Sequence, residues 1–176
     1  MIRGARPEVP AFQEVYETLY PTIYRIAFRI CGNQGAAEDL CQEAFIKLFE
    51  RDQSLPDLEQ TKYWLIRVVR NIALNYEKRK ARERKAYERL EQINPRYAES
   101  GEAQLLRQED AGFIQWALDR LPFSLRVVIV LKEYGGMNYR EIGSLLGLSA
   151  GNVKVRVFRA RKSLAGIIKE EAKHVP

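Results

Sequence analysis

The sequence predicts an all-α protein: two small helical domains joined by a flexible linker, the second containing a helix-turn-helix. Three observations carry this. Apolar residues recur at steps of three and four along most of the chain; glycine and proline fall at the ends of those runs; and strand-like alternation bounded by hairpin turns is missing. The stretch 91–110 holds five acids against Arg96 and Arg107 and has no apolar stripe, which separates a domain over 1–90 from one over 111–176.

The first helix is expected over about 10–30, with Phe12, Val15, Leu19, Ile23, Ile26 and Ile30 as one stripe and Pro21 as a kink or break within it. Gly32 to Gly35 ends it. A second helix, about 36–51, buries Ala37, Cys41, Ala44 and Leu48, flanked by Leu40, Phe45 and Phe49, and leaves Glu38, Asp39, Gln42, Glu43 and Lys47 outside. A third starts near Thr61 after Pro56, with Leu65, Val68, Ile72 and Tyr76 as its core stripe, joined by Trp64 and Val69. Arg67, Asn71, Asn75 and Lys78 form a polar stripe facing away from that core. The run from Glu77 to Leu90 carries seven basic residues against three acids and has nothing apolar to bury. Beyond the linker, Phe113, Ala117 and Leu121 repeat at four with Trp116 beside them, and Pro122 opens a new helix. In it, Val127 to Leu131 reads VVIVL; helical neighbours favour a buried helix over a buried strand.

Composition narrows the function. With 29 Lys plus Arg against 23 Asp plus Glu, the net charge is +6, which favours acidic partners only if the charge is concentrated. No stretch reaches the roughly 18 to 20 apolar residues of a membrane span, and Met1 to Pro10 lacks the apolar centre of a signal peptide. A cytoplasmic protein is expected, with Cys31 and Cys41 reduced and serving as small hydrophobes. The lone histidine, His174, lies beside the C-terminus and supports neither histidine catalysis nor a zinc set. No cofactor, metal or catalytic centre is expected, and the protein is not read as an enzyme.

From Asn138 to Leu164 the parts of a helix-turn-helix stand in order. Asn138 with Glu141 forms a capping box; Gly143 permits close helix approach; Gly147 takes a positive φ; and Ser149 caps the following helix. That second helix buries Val153, Val157, Ala160 and Leu164. From Ser149 to Leu164 it carries Lys154, Arg156, Arg159, Arg161 and Lys162 and no acid, as a helix laid in the major groove requires. Val155 and Phe158, also outside the buried stripe, either touch a thymine methyl or sugar or pack on a neighbouring helix.

Three segments resemble the bacterial alternative sigma factors of the extracytoplasmic-function type, the smallest members of the sigma-70 family. They are AEDLCQEAFIKLFE (37–50), YWLIRVVRNIALNY (63–76) and GLSAGNVKVRVFRARKSL (147–164). The resemblance spans about Pro10 to Ile168, the linker excepted. It implies that Asp39, Gln42 and Glu43 meet the clamp of the largest polymerase subunit, and that the flap of the second largest is a further contact. It implies that Asn71 holds a flipped minus-ten base while Arg67, Arg70, Asn75 and Lys78 contact the strand being separated, with Trp64 read as core. It places minus-thirty-five reading on Asn152, Lys154, Val155, Phe158, Arg159 and Arg161, although relatives often carry a threonine at Asn152 and a small polar residue at Val155. Core RNA polymerase, promoter DNA and an anti-sigma factor are the implied partners. The alternative is a helix-turn-helix repressor or activator that is not a polymerase subunit.

Overall fold

A computed structural model describes residues 11–51, 55–93 and 110–172, and all the regular elements among them are α-helices. They run α1 (Phe12–Cys31), α2 (Gln34–Phe49), α3 (Leu58–Ile93), α4 (Asp110–Asp119), α5 (Phe123–Glu133), α6 (Tyr139–Leu146) and α7 (Ala150–Ala172). The first three pack on one another, and α5, α6 and α7 form a second group with α4 against α7. Most of the expected linker lies outside the described residues.

Helix ends follow local chemistry. Gly32, at φ 70°, closes α1 by donating its N–H to Phe28 O, and the Asn33 side chain then accepts from Ala36 N to start α2. Pro21 does not split α1, which is one continuous helix through it. α3 begins at Leu58, three residues before the expected start, because Asp57 caps it: Gln60 N donates to Asp57 Oδ1 at 2.7 Å. α3 also runs to Ile93, three residues into the stretch expected to be linker.

The core of α3 is turned from its expected position. Leu65, Ile66, Val69 and Ala73 are buried, while Val68, Ile72 and Tyr76 sit half-buried at its edge. α3 packs on both α1 and α2, so its buried stripe centres between two partners rather than beneath its largest side chains. On α2, Phe49 is 72% exposed, not a core flank. The VVIVL run is helical, and all five of its residues are buried within α5. Both cysteines are free and buried as expected.

Arg126 joins the two groups. This side chain is only 7% exposed; its Nη1 donates to Ile30 O at the end of α1 at 2.7 Å, and its Nη2 donates to Asp119 O and Leu121 O. The carboxylates of Asp119 and Glu77 lie at 3.6 and 3.9 Å and supply the countercharge that burial demands. Beside it, Arg29 Nη1 donates to Gln115 Oε1, and Gln115 Nε2 donates to Asp119 Oδ1.

Candidate nucleic-acid interface

The helix-turn-helix is built as its sequence dictates. Asn138 Oδ1 accepts from Arg140 N and Glu141 N, and Glu141 Oε2 accepts from Asn138 N at 2.7 Å, completing the capping box. Gly147 ends α6 at φ 67° and ψ 38°. Gly143 is required for a different reason: a Cβ there would stand 2.5 Å from Leu148 O. Ser149 Oγ accepts from Asn152 N and starts α7.

α7 buries Val153, Val157 and Ala160 and leaves Asn152, Lys154, Val155, Phe158, Arg159, Arg161 and Lys162 exposed. Val155 at 47% and Phe158 at 67% exposure are covered by no helix among the described residues. With 100° per residue, Val155, Phe158, Arg159 and Lys162 lie opposite the buried stripe, whereas Lys154 and Arg161 fall on one flank. Arg161 Nη2 is bonded to Glu133 Oε1 at 2.6 Å, and this bond raises its already high pKa. It is therefore held toward α5, while Lys162, absent from the expected reading set, occupies the middle of the outer face.

On α3 the described face is richer than its sequence suggested. Leu55, Glu59, Gln60, Tyr63, Trp64 and Arg67 line an open-sided cavity of about 360 Å³. Trp64 is half-buried, packed against the core as expected and also part of this wall, with the Arg51 guanidinium 5.3 Å from its ring centroid. Arg67 lies 5.7 Å from the Tyr63 ring centroid. Asn71 is exposed one helical turn beyond Arg67, and its Oδ1 accepts from Arg70 Nη1 at 2.8 Å. Asn75 and Lys78 continue the same exposed face. Only Arg67 of the five expected minus-ten residues lines the cavity. Sequence reading missed Leu55, Glu59, Gln60 and Tyr63, although Gln60 and Trp64 already stood in step with Arg67 and Asn71.

On α2, Asp39, Gln42 and Glu43 are all exposed, with Glu43 Oε1 3.4 Å from Lys47 Nζ. Beside them Ile46 is 54% exposed, and Phe49 meets Phe12 edge-on with ring centroids 5.3 Å apart. This patch joins acids to an apolar surface. No helix among the described residues is long and apolar enough to cross a membrane.

A helix-turn-helix with a basic outer face on its second helix places the chain among the DNA-binding proteins. Comparison with known proteins narrows the class. The family model described as sigma-70 region 2 matches residues 15–83, and that described as sigma-70, region 4 matches 114–164. ECF RNA polymerase sigma factor SigW of Bacillus subtilis is 30% identical over 162 residues, covering 88% of this chain and 87% of that protein. ECF RNA polymerase sigma factor SigE of Mycolicibacterium smegmatis is 33% identical over 97% of this chain, which spans 65% of that relative's length. The chain belongs to the extracytoplasmic-function sigma factors of the sigma-70 family. Because region 2 is matched as well as region 4, the reading as an independent repressor or activator falls away.

The fold has solved counterparts. Sigma factor RpoE of Bartonella quintana, in complex with the anti-sigma factor NepR, aligns with a TM-score of 0.64 and 23% identity over 90% of this chain and 96% of that one. CnrH in complex with the cytosolic domain of CnrY aligns at 0.62 with 22% identity, covering 90% and 88% of the two chains.

Proposed function

We propose that the chain acts in the cytoplasm as a dissociable promoter-specificity subunit of RNA polymerase, holding a promoter at two points and opening it at one. The observation that carries this is the face of α3, where an open cavity walled by Tyr63 and Trp64 leads directly to Arg67, Asn71 and Asn75. An unstacked base needs an aromatic surface and hydrogen bonds to its edge, and an amide both donates and accepts. Tyr63 and Trp64 offer the first, and Gln60 and Asn71 the second. Arg70 orients the Asn71 amide by occupying its oxygen, which leaves the amide N–H groups for the base. Arg67 and Lys78 neutralise the backbone of the strand that is drawn away.

α7 supplies the other hold. Asn152, Lys154, Val155, Phe158 and Arg159 read the minus-thirty-five duplex, with Lys162 on its phosphates and Arg161 at the edge. The two holds work within one polymerase, so neither needs high affinity alone. Binding energy offsets the unstacking cost of a few kcal/mol per step, and the chain does no covalent chemistry of its own. Asp39, Gln42 and Glu43, with Ile46 and Phe49, face the polymerase clamp, and the region 4 half faces the flap. The functional boundaries are 1–90, 91–110 and 111–176. An anti-sigma factor is the proposed inhibitory partner; the occurrence of both structural neighbours in complexes, the first explicitly with an anti-sigma factor, supports it.

The test is transcription in vitro by core polymerase on fragmented genomic DNA, with and without the protein. Specific transcripts that require the protein are expected. Tight binding to a palindromic duplex without any association with core polymerase would overturn the reading.

A further inference from the structure

α7 meets an acid of another helix at close range. Between Ser149 and Leu164 it carries Lys154, Arg156, Arg159, Arg161 and Lys162. Lys154, Arg156, Arg159 and Lys162 make no ion pair among the described residues, whereas Arg161 Nη2 is bonded to Glu133 Oε1 at 2.6 Å. Both side chains are about half exposed, so the pair lies on the surface and not in a core. Glu133 closes α5, the helix that packs on α7. Lys132, its neighbour in the chain, donates instead to Met137 O, which leaves Arg161 as the partner of this carboxylate. The other acids nearby have separate tasks: Glu141 completes the capping box and Asp119 faces Arg126. Arg161 stands two turns beyond Lys154 on the same flank of α7, about 10 Å along the helix.

We propose that Glu133 is a positioning residue of the minus-thirty-five contact: it holds Arg161 off the DNA phosphates and so limits how tightly α7 grips duplex. This rests on the promoter reading above. An exposed ion pair contributes little to stability, and the effect of this one lies in its charge. Paired, the two side chains carry no net charge, so Arg161 neutralises no phosphate and releases no counterion. Turning Arg161 toward the DNA would exchange one anionic partner for another. It would also leave Glu133 unpaired beside the backbone, where like charges repel. The swing therefore gains nothing that the pair does not already supply. Lys154, Arg159 and Lys162 are under no such restraint. A phosphate contact strengthens binding to every sequence alike, whereas base contacts discriminate. Withholding Arg161 lowers the affinity of α7 for any duplex and leaves capture to the base-reading side chains and to the second hold on α3. That suits a dissociable subunit, which has to release the duplex again.

The test is the salt dependence of promoter binding by the holoenzyme, with wild type, E133Q and E133Q/R161Q. Glutamine removes the charge at these exposed positions and keeps helix propensity. The probes are a promoter fragment that the wild-type holoenzyme captures from genomic DNA, its upstream duplex ending before the minus-ten element, and its minus-ten element alone. On the first two, E133Q is expected to bind more tightly than wild type. Its slope of log affinity against log salt should be steeper by about 0.9, so that its advantage shrinks about 3.5-fold over a fourfold rise in salt. E133Q/R161Q should lose what E133Q gained, and on the minus-ten probe E133Q should match wild type. An unchanged slope overturns the proposal. Weaker binding by E133Q overturns it too, since Glu133 would then aim Arg161 at the phosphate. A gain that persists in E133Q/R161Q, or that extends to the minus-ten probe, does not come from releasing Arg161 and is equally contrary. A wild-type protein that captures no fragment with core polymerase refutes the promoter reading itself, and this role of Glu133 with it.

Discussion

α3 and α7 are both long helices with a basic outer face, yet they offer DNA different chemistry. α7 buries a stripe of Val153, Val157 and Ala160 and sets cations around exposed Val155 and Phe158, a surface that can enter a groove and leave base pairs intact. α3 places two aromatic rings, a cavity, Arg67 and the amides of Asn71 and Asn75 along its face. Charge alone does not distinguish them. In the proposed function, what separates the duplex reader from the strand separator is whether the face gives an extruded base somewhere to go.

The largest effect is expected at the joint that both regions share. Arg126→Ala removes the donor to Ile30 O, Asp119 O and Leu121 O and strips the countercharge from half-buried Glu77. Breaking such a buried pair costs about 3–5 kcal/mol, which denaturant unfolding would read as a lowered midpoint. A change below about 1 kcal/mol would mean that the two regions do not depend on this contact.

Gly143→Ala sharpens the comparison by damaging one side only. Its methyl would press on the Leu148 carbonyl, and a cost of about 1–3 kcal/mol confined to the helix-turn-helix is expected. The minus-thirty-five footprint should weaken while association with core polymerase persists. Arg159→Ala is smaller: it leaves the fold intact and lowers the salt slope of promoter binding by about 1 if it holds one phosphate. An unchanged slope removes Arg159 from the phosphate contacts.

The smallest effect is alkaline. Burial pushes the Cys41 thiol from its ordinary 9.0 up to about 12, and burial also raises the Cys31 thiol. A folded-state pKa raised in this way gives stability that is full below pH 9 and is lost as pH rises toward 12. Both cysteines lie on α1 and α2, so unfolding followed at Trp64 should shift to lower denaturant as pH rises above 9 more than unfolding followed at Trp116. Equal shifts at the two tryptophans would show that the halves unfold as one unit.

Much of this was legible in the sequence because it was local. The capping box at Asn138, the turn at Gly147 and the buried Val153, Val157 and Ala160 of α7 depend on residues a few positions apart and stand as read, while Leu164, expected in the same stripe, is half-buried. The phase of α3 was not legible: its buried face is fixed by α1 and α2 together, which brought Ile66 and Ala73 inside and left Trp64 at a cavity wall. Phe49 misled for a related reason, since in the last turn of α2 it meets the edge of Phe12 at the very start of α1 and stays 72% exposed. Arg126 could not be found from sequence, because its acceptors lie at Ile30, 96 residues away, and on carbonyls that carry no side-chain signal.

The claim that α3 opens the promoter is tested most directly by permanganate reactivity of promoter thymines in the reconstituted holoenzyme, wild type against Trp64→Ala. Wild type should make the minus-ten thymines reactive; the variant should bind core polymerase and protect the minus-thirty-five site yet lose about 1–3 kcal/mol of opening, the worth of one base stacked on an aromatic ring. Full thymine reactivity in the variant, or none with wild type on a promoter it transcribes, would contradict the account.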